Sequence, residues 1–327
     1  ESLFAHHIDM DFKKYNNLVE LFFEKCENQN QDKIFLSSLK DNNKNFTWNE
    51  VKRTVLQLAN EISKVIKKGD RCLLISENRP EWMISDLSIM LAGGITVPAY
   101  TTYVSRDYEY IINDCTPSIV LVSNNEQFKK INIICEKSPF IKKIISFEKL
   151  TGVETQHYYD FEQLNKNKNE EIKLENKALR SDPACIIYTS GTQGNPKGVI
   201  LSHGGILSNC EGGYKLLKPI LEKETRFLTW LPLSHSYEHA VQFIQIAVGA
   251  KVYYAESIDK LIKNMGECSP HIMTAVPRFY QNLYQKINST FNKAKGLKKV
   301  LVNNTIKLGT KNFINQKMSL LENVVNF

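Results

Sequence analysis

Short apolar runs alternate with stretches of helical spacing between residues 71 and 147, and this alternation constrains the fold more than any other feature. The predicted strands are 71–76, 95–99, 118–123 and 142–147, and the predicted helices between them are 80–90, 105–115 and 125–137. Strands that alternate with helices form crossover units. The sequence therefore predicts an α/β fold, in which mostly parallel sheets are layered between helices.

The same alternation continues on both sides of this region. Before it, the spacing predicts a helix at 18–30, a strand at 34–39 and a helix at 51–66, with Thr47 and Glu50 placed as a capping box. Residues 151–180 are polar and rich in Asn, Lys and Glu, which predicts a surface connection. Further along, helices are predicted near 205–217, 237–248, 257–266 and after Pro277, and strands at 226–231, 251–255 and 271–276.

The stretch from Tyr188 to His203 reads YTSGTQGNPKGVILSH and follows a short apolar run at 184–187. It holds four hydroxyl side chains before Gly194, three glycines, one proline and one lysine. Glycines let backbone N–H groups approach an anion, hydroxyls add hydrogen-bond donors, and a lysine supplies a positive charge. The stretch therefore predicts a polyphosphate-binding loop at the end of a buried strand.

Three common nucleotide or hydrolase motifs are excluded by residue spacing. A Walker loop needs Gly before its lysine and Ser or Thr after it, but Lys197 lies between Pro196 and Gly198. The chain contains no GxG, which excludes the dinucleotide fingerprint and the kinase glycine-rich loop. No GxSxG surrounds Ser190 or Ser202, so a hydrolase nucleophile elbow is excluded as well.

Residues 189–198, TSGTQGNPKG, resemble the phosphate loop of the acyl-adenylate-forming (AMP-binding) enzymes, which include acyl-CoA synthetases and luciferases. Nine of the ten positions match, and Gln193 replaces a threonine. Other stretches resemble the same superfamily, and the last three of them resemble its long-chain fatty acyl-CoA synthetases. These stretches are NRPEW at 78–82, AGGITVPAY at 92–100, WLPLSHSYEH at 230–239, GAKVYYAES at 249–257 and TAVPRFY at 274–280.

The resemblance implies a two-step ligase reaction. A fatty acid carboxylate attacks the α-phosphate of ATP, pyrophosphate leaves, and the thiol of coenzyme A then displaces AMP. The implied ligands are therefore ATP, Mg²⁺, coenzyme A and a long-chain fatty acid, with no nucleic acid. Such a site has to neutralise the phosphates and orient the attacking group.

The resemblance also assigns roles to individual residues. The phosphate-binding residues it implies are Thr189, Ser190, Gly191, Thr192, Gln193, Gly194 and Lys197. Thr189 would also lie near the magnesium, and Lys197 and His235 would be the catalytic residues. His235 would border the adenylate and the acyl channel, with Glu238 and His239 beside it. His239 stands where the family has an arginine, so the resemblance does not define the channel wall at this position.

Members of this superfamily are substantially longer than 327 residues. The chain lacks the Tyr-Gly-x-Thr-Glu motif that would pack on adenine, and we expect an incomplete N-terminal AMP-binding domain without its small C-terminal lid. The expected parts are a first α/β subdomain at 1–180, a phosphate-loop-bearing part at 181–285 and a basic helical segment at 286–327. The chain alone is then expected to be inactive. The alternatives are a catalytically dead nucleotide- or acyl-binding module and a ligase for another carboxylic acid.

A second motif overlaps the acyl-channel stretch. Residues 235–239 spell HxxEH, the inverted zinc-protease pattern, and residues four apart on a helix share a face. Under this alternative, His235 and His239 would be zinc ligands. The surrounding LPLS sequence favours the acyl-CoA synthetase interpretation.

Composition indicates the compartment and one further partner. Seven widely spaced cysteines without a CxxC pair favour a reducing compartment, and no apolar run is long enough for a transmembrane helix, so we expect a cytoplasmic protein. The net charge is +7. Between Lys286 and Leu320 there are eight lysines and no acidic residue, with an apolar stripe that includes Leu297 and Leu301. A basic amphipathic segment of this kind suggests peripheral contact with an anionic membrane.

Overall fold

The structure is a computed structural model that describes residues 10–40, 44–153, 158–164, 172–189, 195–293 and 295–313. It contains two compact units, Glu1–Thr274 and Ala275–Phe327. The predicted phosphate-binding residues Ser190, Gly191, Thr192, Gln193 and Gly194 lie outside the described residues.

Twelve strands lie in the described part of the first unit. They are β1 (Ile34–Ser38), β2 (Asn45–Thr47), β3 (Arg71–Ile75), β4 (Ile95–Ala99), β5 (Ile119–Val122), β6 (Lys143–Ser146), β7 (Tyr158–Asp160), β8 (Pro183–Thr189), β9 (Lys197–Ser202), β10 (Arg226–Thr229), β11 (Lys251–Tyr254) and β12 (Ile272–Met273).

Ten described helices belong to the first unit and two to the second. Those of the first unit are α1 (Leu18–Asn28), α2 (Trp48–Ser63), α3 (Pro80–Leu91), α4 (Ser105–Cys115), α5 (Asn125–Lys129), α6 (Asn132–Glu136), α7 (Phe161–Leu164), α8 (His203–Leu217), α9 (Ser236–Val248) and α10 (Leu261–Cys268). Those of the second unit are α11 (Pro277–Asn292) and α12 (Leu297–Phe313).

The larger sheet has seven strands in the order β7-β6-β5-β3-β4-β8-β9. All neighbours are parallel except β8 and β9, which pair antiparallel. Because β3, β4 and β8 are parallel, their carboxyl ends share one edge of the sheet. The layered α/β prediction is confirmed, since helices connect these strands as crossovers.

The smaller sheet has the order β12-β10-β11-β1-β2, and only β2 runs antiparallel to its neighbour. Strand β1 near the start of the chain pairs with β11, more than 200 residues later. The seven-stranded sheet likewise takes strands from both sides of residue 180. The expected subdivision at residue 180 therefore does not coincide with a division between sheets.

Helices α3 and α9 are buried along almost their whole length. Every residue of α3 is buried, and α9 is buried from Glu238 onward, apart from Ala240. Both helices contribute to one large apolar cluster, and the polar side chains that they also bury, such as Asp86 and His239, pair with one another. This cluster also holds Trp48, which stacks on Phe35 with ring centroids 3.7 Å apart. Helices α4, α5 and α6 contribute to a second cluster, on other residues of the larger sheet.

Local sequence signals account for several element boundaries. Thr47 and Glu50 form the predicted capping box at the start of α2, and Pro80 occupies the first turn of α3. Helix α9 ends at Gly249, which has a φ of +68°. A Cβ at this position would also lie 2.5 Å from Nε2 of Gln29, so two constraints favour glycine.

Several expectations differ from the structure. The helix expected at 257–266 is α10 (Leu261–Cys268), the strand expected at 271–276 is β12 (Ile272–Met273), and β2 was not expected. The helix expected over 125–137 is two short helices, α5 and α6, interrupted near Ile131. The connection at 151–180 contains β7 and α7. Residues 197–202 form β9, whereas the sequence pattern predicts a continuation of the loop.

All seven cysteines are free and buried, which fits core packing. Within the described residues no helix is long and apolar enough to cross a bilayer.

Candidate active site at the carboxyl edge of the sheet

The predicted phosphate loop connects the two strands of a hairpin. Strand β8 ends at Thr189 and β9 begins at Lys197, and these two residues are direct partners across the hairpin. Both are exposed. The structure therefore brings Thr189 and Lys197 together at the base of the loop. Because β8 is parallel to β4, the loop leaves the sheet at its carboxyl edge, where parallel α/β sheets bind ligands.

Close packing at the base of the hairpin requires glycine at position 198. A Cβ there would lie 2.9 Å from Cγ2 of Ile186 and 3.2 Å from Cζ of Tyr188. The hydroxyl of Tyr188 donates to the carboxylate of Asp114, and burial together with this bond raises the pKa of Tyr188 far above its ordinary value. These contacts anchor the strand pair immediately below the predicted loop.

A cleft of about 360 Å³ lies at the carboxyl ends of strands from both sheets. Four of the stretches that resemble acyl-CoA synthetases contribute to its lining. The lining residues from these stretches are Asn78, Arg79, Tyr100, Trp230, Pro232, Ser234, Ala255, Glu256 and Ser257. Residues from distant parts of the chain thus meet in one cavity. Sequence spacing could not predict that these residues meet, because their meeting depends on the order of the strands in the two sheets.

Asn78 fixes the backbone of the WLPLSH stretch beside this cleft. Its amide nitrogen donates to the carbonyl of Leu231 at 2.6 Å, and its amide oxygen accepts from the N–H of Leu233 at 3.0 Å. Ser234 donates to the carbonyl of Ala99 at 3.2 Å. These bonds tie the segment before α9 to the ends of the strands in the larger sheet. The NRPEW stretch singles out Asn78 in the sequence, but nothing in the sequence indicates that its side chain binds the backbone of Leu231 and Leu233.

Arg79 lies in the same cleft between two carboxylates. Its guanidinium pairs with Glu81 at 2.9 Å and with Glu148 at 2.7 Å. Burial would lower the pKa of Arg79, but the two carboxylates outweigh burial and raise it. Arg79 therefore presents a fixed positive charge at the cleft, although both carboxylates already neutralise much of it.

The three predicted acyl-channel residues occupy different environments. His235 is exposed and caps α9, where its Nδ1 accepts from the N–H of Tyr237 at 3.2 Å. Glu238 is buried, and its carboxylate accepts a 2.6 Å bond from the hydroxyl of Thr274. Burial raises the pKa of Glu238 to about 7, although the Thr274 bond opposes this shift. A carboxyl group with such a pKa exchanges a proton near neutral pH.

His239 lies in the core and forms a buried ion pair. Its Nε2 is 2.7 Å from Oδ2 of Asp86, which also accepts from the side-chain amide of Gln242 at 2.9 Å. Its Nδ1 is 3.6 Å from the sulfur of Cys185 on β8. Burial alone would lower the pKa of His239, but the charge of Asp86 outweighs it and raises the pKa to about 10. His239 therefore carries a positive charge at neutral pH.

This arrangement gives the zinc alternative no geometric support. His235 is exposed at the start of α9, whereas His239 is buried with both ring nitrogens in contact with Asp86 and Cys185. The two histidines do not face a common point. Within the residues that the structure describes, no group of three His, Cys, Asp or Glu side chains is placed to hold a metal ion.

A larger cavity, of about 490 Å³, lies at the opposite edge of the larger sheet. It is lined by residues at the amino ends of β4 and β8, among them Ile95 and Pro183, and by buried His203. Burial lowers the pKa of His203 to about 4, so its ring is neutral at neutral pH. We assign the active site to the cleft at the carboxyl edge because the predicted phosphate loop emerges there.

Comparison with known proteins decides the family. The model of the AMP-binding enzyme family matches residues 22–326. The chain belongs to the AMP-binding enzyme family. The resemblance first based on residues 189–198 is thereby confirmed.

Relatives within this AMP-binding family are acyl-CoA synthetases by name. The chain is 31% identical to long chain acyl-CoA synthetase 3 of Arabidopsis thaliana, over 81% of this chain and 42% of the relative. It is 28% identical to fatty acyl-CoA synthetase A of Dictyostelium discoideum, over 79% of this chain and 40% of the relative. The chain thus spans about two fifths of the length of these relatives.

Solved structures confirm the AMP-binding fold. The anthranilate CoA ligase AuaEII in complex with anthranoyl-AMP superposes with a TM-score of 0.69 at 20% identity, covering 83% of this chain and 52% of the ligase. The luciferase-like enzyme of the mealworm Zophobas morio gives a TM-score of 0.68 at 21% identity, with 84% and 62% coverage.

The described residues of this AMP-binding chain suit a magnesium–polyphosphate ligand. Mg²⁺ keeps several water ligands and binds proteins through one or two side-chain oxygens together with substrate phosphates. The exposed hydroxyl of Thr189 at the base of the loop meets that requirement, and Lys197 beside it offers a positive charge for phosphate oxygens.

Proposed function

We propose that the protein activates a long-chain fatty acid with ATP and transfers the acyl group to coenzyme A. The fatty acid carboxylate attacks the α-phosphate, pyrophosphate leaves, and an acyl-adenylate forms. The thiol of coenzyme A then attacks the acyl carbonyl carbon, and AMP leaves as the thioester forms. The observation that carries this proposal is the pairing of Thr189 with Lys197 in the β8–β9 hairpin, at the carboxyl edge of the sheet where the acyl-CoA synthetase-like stretches line a cleft.

Lys197 and Thr189 act on the phosphates in this proposal. Lys197 places its ammonium against the phosphate oxygens and neutralises the charge that builds on the leaving pyrophosphate. Thr189 would help to hold a magnesium ion with its hydroxyl, and the ion would supply charge neutralisation when it is bound with ATP. Ser190, Gly191, Thr192, Gln193 and Gly194 complete the phosphate-binding loop.

His235 and Glu238 border the acyl side of the site. His235 lies at the exposed start of α9, which directly follows the cleft-lining segment held by Asn78. Glu238 is buried one turn further along the same helix, where its bond to Thr274 fixes the side chain. His235 directly follows the cleft-lining residue Ser234, so His235 is assigned the orientation of the carboxylate that attacks ATP, with the buried Glu238 beside it on the same helix.

His239 is proposed to act on the channel wall only indirectly. Its contacts with Asp86 and Cys185 connect α9, α3 and β8 in the core. The family's arginine at this position carries the same positive charge. The replacement of arginine by His239 therefore keeps the positive charge but changes the size of the side chain.

The substrate assignment rests on the resemblance of three stretches and on the names of the relatives. A long-chain fatty acid is proposed over medium-chain, aryl or bile acids. An alternative is that this chain of 327 residues binds nucleotide or acyl groups without catalysis. This alternative concerns the chain by itself, which spans about two fifths of the length of these relatives.

ATP–pyrophosphate exchange tests both proposals. The assay is run with palmitate, octanoate, benzoate and cholate, on this chain and on a longer form of the protein. We expect palmitate-dependent exchange by the longer form and none by the 327-residue chain. Exchange that is faster with benzoate or cholate would overturn the substrate class, and exchange by the short chain would overturn the claim that it is inactive alone.

A further inference from the structure

Asn78 occupies a rigid position at the edge of the cleft. It lies in the turn between β3 of the larger sheet and α3, which begins at Pro80. Strand β3 pairs with β4 on one side and β5 on the other, and every residue of α3 is buried. The side chain of Arg79 ties the turn to Glu81 and Glu148. Asn78 is therefore a fixed point from which a neighbouring segment can be held.

The neighbouring segment follows a strand of the other sheet. Residues 230–235, which we call the wall segment, connect β10 of the smaller sheet to α9. Leu231 and Leu233 are buried, whereas Pro232 between them is exposed and lines the cleft. The N–H of His235 donates to the carbonyl of Pro232 at 3.0 Å and closes a turn. This turn fixes the local shape of the wall segment, but contacts with other elements have to fix its position.

Side chains at the carboxyl edge of the larger sheet supply those contacts. The amide of Asn78 donates to the carbonyl of Leu231 and accepts from the N–H of Leu233, so it binds the backbone on both sides of the cleft-lining proline. An amide suits this role because it carries donors and an acceptor in one planar group. Ser234 adds a bond to the carbonyl of Ala99, the last residue of β4. These bonds hold the wall segment of one sheet against the strand ends of the other.

We propose that Asn78 is a positioning residue for the fatty acid, because it holds the wall segment where the carboxylate is oriented for its attack on ATP. The inference rests on the proposed function, which assigns the orientation of this carboxylate to His235 at the end of the wall segment. Asn78 acts through the backbone of the wall segment and not by contact with the reacting atoms. A displacement of about 1 Å at a reacting group lowers a rate by up to about a hundredfold, so the loss of two backbone bonds is enough to affect the reaction.

The phosphate side of the site is held by different contacts. Thr189 and Lys197 are placed by the pairing of β8 with β9. Neither of these strands is a neighbour of β3 or of β10. Loss of the Asn78 bonds is therefore expected to impair the use of the fatty acid and to leave the binding of MgATP unchanged. A general loss of structure would instead weaken both.

Asn176 provides a matched control at the opposite edge of the larger sheet. Like Asn78, it is half-buried. Its amide nitrogen donates to the carbonyl of Met90 at 3.2 Å, and its amide oxygen accepts from the N–H of Ala178 at 2.7 Å. It lines the cavity at the amino ends of β4 and β8 and is not among the residues that line the cleft. Asn78→Ala and Asn176→Ala therefore remove the same pair of bonds, one beside the site and the other away from it.

ATP–pyrophosphate exchange with palmitate, by the longer form of the protein, tests the effect on the reaction. We expect Asn78→Ala to lower kcat by about tenfold or more while the KM for ATP stays unchanged. Asn78→Asp keeps the size of the side chain but cannot donate to Leu231, and it should show the same split with less disturbance of packing. Asn176→Ala should leave both constants unchanged. An unchanged kcat in both Asn78 variants, or an equal loss in Asn176→Ala, would overturn the proposal.

Amide hydrogen exchange on the 327-residue chain tests the contact itself and needs no ligase activity. The N–H of Leu233 is bonded to Asn78, so we expect it to exchange at least about tenfold faster in Asn78→Ala, while the amides of α3 stay protected. Asn176→Ala should leave Leu233 as it is in the wild type. Equal exchange of Leu233 in the wild type and in Asn78→Ala would overturn the claim that Asn78 holds the wall segment.

The two measurements fail in different ways. If the wild-type longer form supports ATP–pyrophosphate exchange with none of the acids, the proposed function is overturned, and the role of Asn78 in that reaction is overturned with it. If the wild type is active and Leu233 is protected equally with and without Asn78, the proposed function stands and only the positioning role is overturned. Faster exchange of Leu233 together with the loss of kcat is the result that the proposal predicts.

Discussion

At the scale of single residues, His239 of α9 and Asp86 of α3 form an ion pair that joins these two helices in the core. The pair His239–Asp86 is fully buried, and the second carboxylate oxygen of Asp86 has no hydrogen-bond partner among the described residues. A buried ion pair contributes little net stability, but removing one partner leaves an uncompensated charge. His239 therefore affects stability mainly because its removal would leave the Asp86 carboxylate buried without a positive partner.

We expect His239→Gln to lower the free energy of unfolding by about 3–5 kcal/mol, because Asp86 would remain buried without a cation. Asp86→Asn combined with His239→Gln should cost less than the sum of the two single variants. Urea denaturation of the four proteins measures the cycle. Strict additivity would show that the two residues do not interact.

The same pair predicts a pH dependence of stability. The pKa of His239 is raised from its ordinary value near 6.5 to about 10 in the folded chain. The folded state therefore binds the proton more tightly than the unfolded state, so the contribution is present below pH 6.5 and is lost as pH rises toward 10. Denaturation across this range should show a steeper decline in the wild type than in His239→Gln, because Glu238 and the buried cysteines titrate in both proteins.

Glu238 predicts a decline in a lower pH window. Its folded pKa of about 7 lies above its ordinary value near 4.5, so its contribution is present at low pH and is lost as pH rises through 7. Glu238→Gln should be more stable than the wild type above pH 7 by about 2–3 kcal/mol, since a neutral amide can still accept from Thr274. Denaturation at pH 5 and pH 8 compares them, and an unchanged difference between the two pH values would contradict the assignment.

At the scale of elements, the hairpin β8–β9 depends on a glycine below the loop. Gly198→Ala would place a Cβ 2.9 Å from Ile186, and we expect it to cost about 1–3 kcal/mol through overpacking. Gly212→Ala in α8 is the matched control, because nothing lies within 4 Å of its Cβ position and alanine favours a helix. Denaturation should rank Gly212→Ala above the wild type and Gly198→Ala below it.

The elements also show which parts of the fold a sequence can predict. Strands β3 to β6 and helices α2 to α4 follow from the spacing of their apolar residues, and the start of α2 is marked by a capping box and that of α3 by Pro80. The break between α5 and α6 was not predictable, since Phe128, Ile131 and Cys135 keep helical spacing across it. Strand β9 was missed because its apolar run follows a loop motif directly and is only recognisable once β8 is its partner.

At the scale of the whole molecule, each sheet combines strands that are distant in the sequence, and the site forms where these strands end. Strand β1 joins β11, so the stretches near residues 78, 100, 230 and 255 reach one cleft. The sequence motifs predicted which residues matter by resemblance, but not that Asn78 holds Leu231 and Leu233. Such contacts depend on sheet order, which no local pattern contains.

The central claim is that the hairpin of β8 and β9 holds the phosphates of ATP, and calorimetric titration of the chain with MgATP tests it most directly. A lysine–phosphate contact is worth about 1.5–3 kcal/mol, so Lys197→Ala should weaken binding by about tenfold or more. Lys149→Gln, at an exposed lysine away from the hairpin, should bind as the wild type does. Equal affinity of the wild type and Lys197→Ala for MgATP would contradict the account.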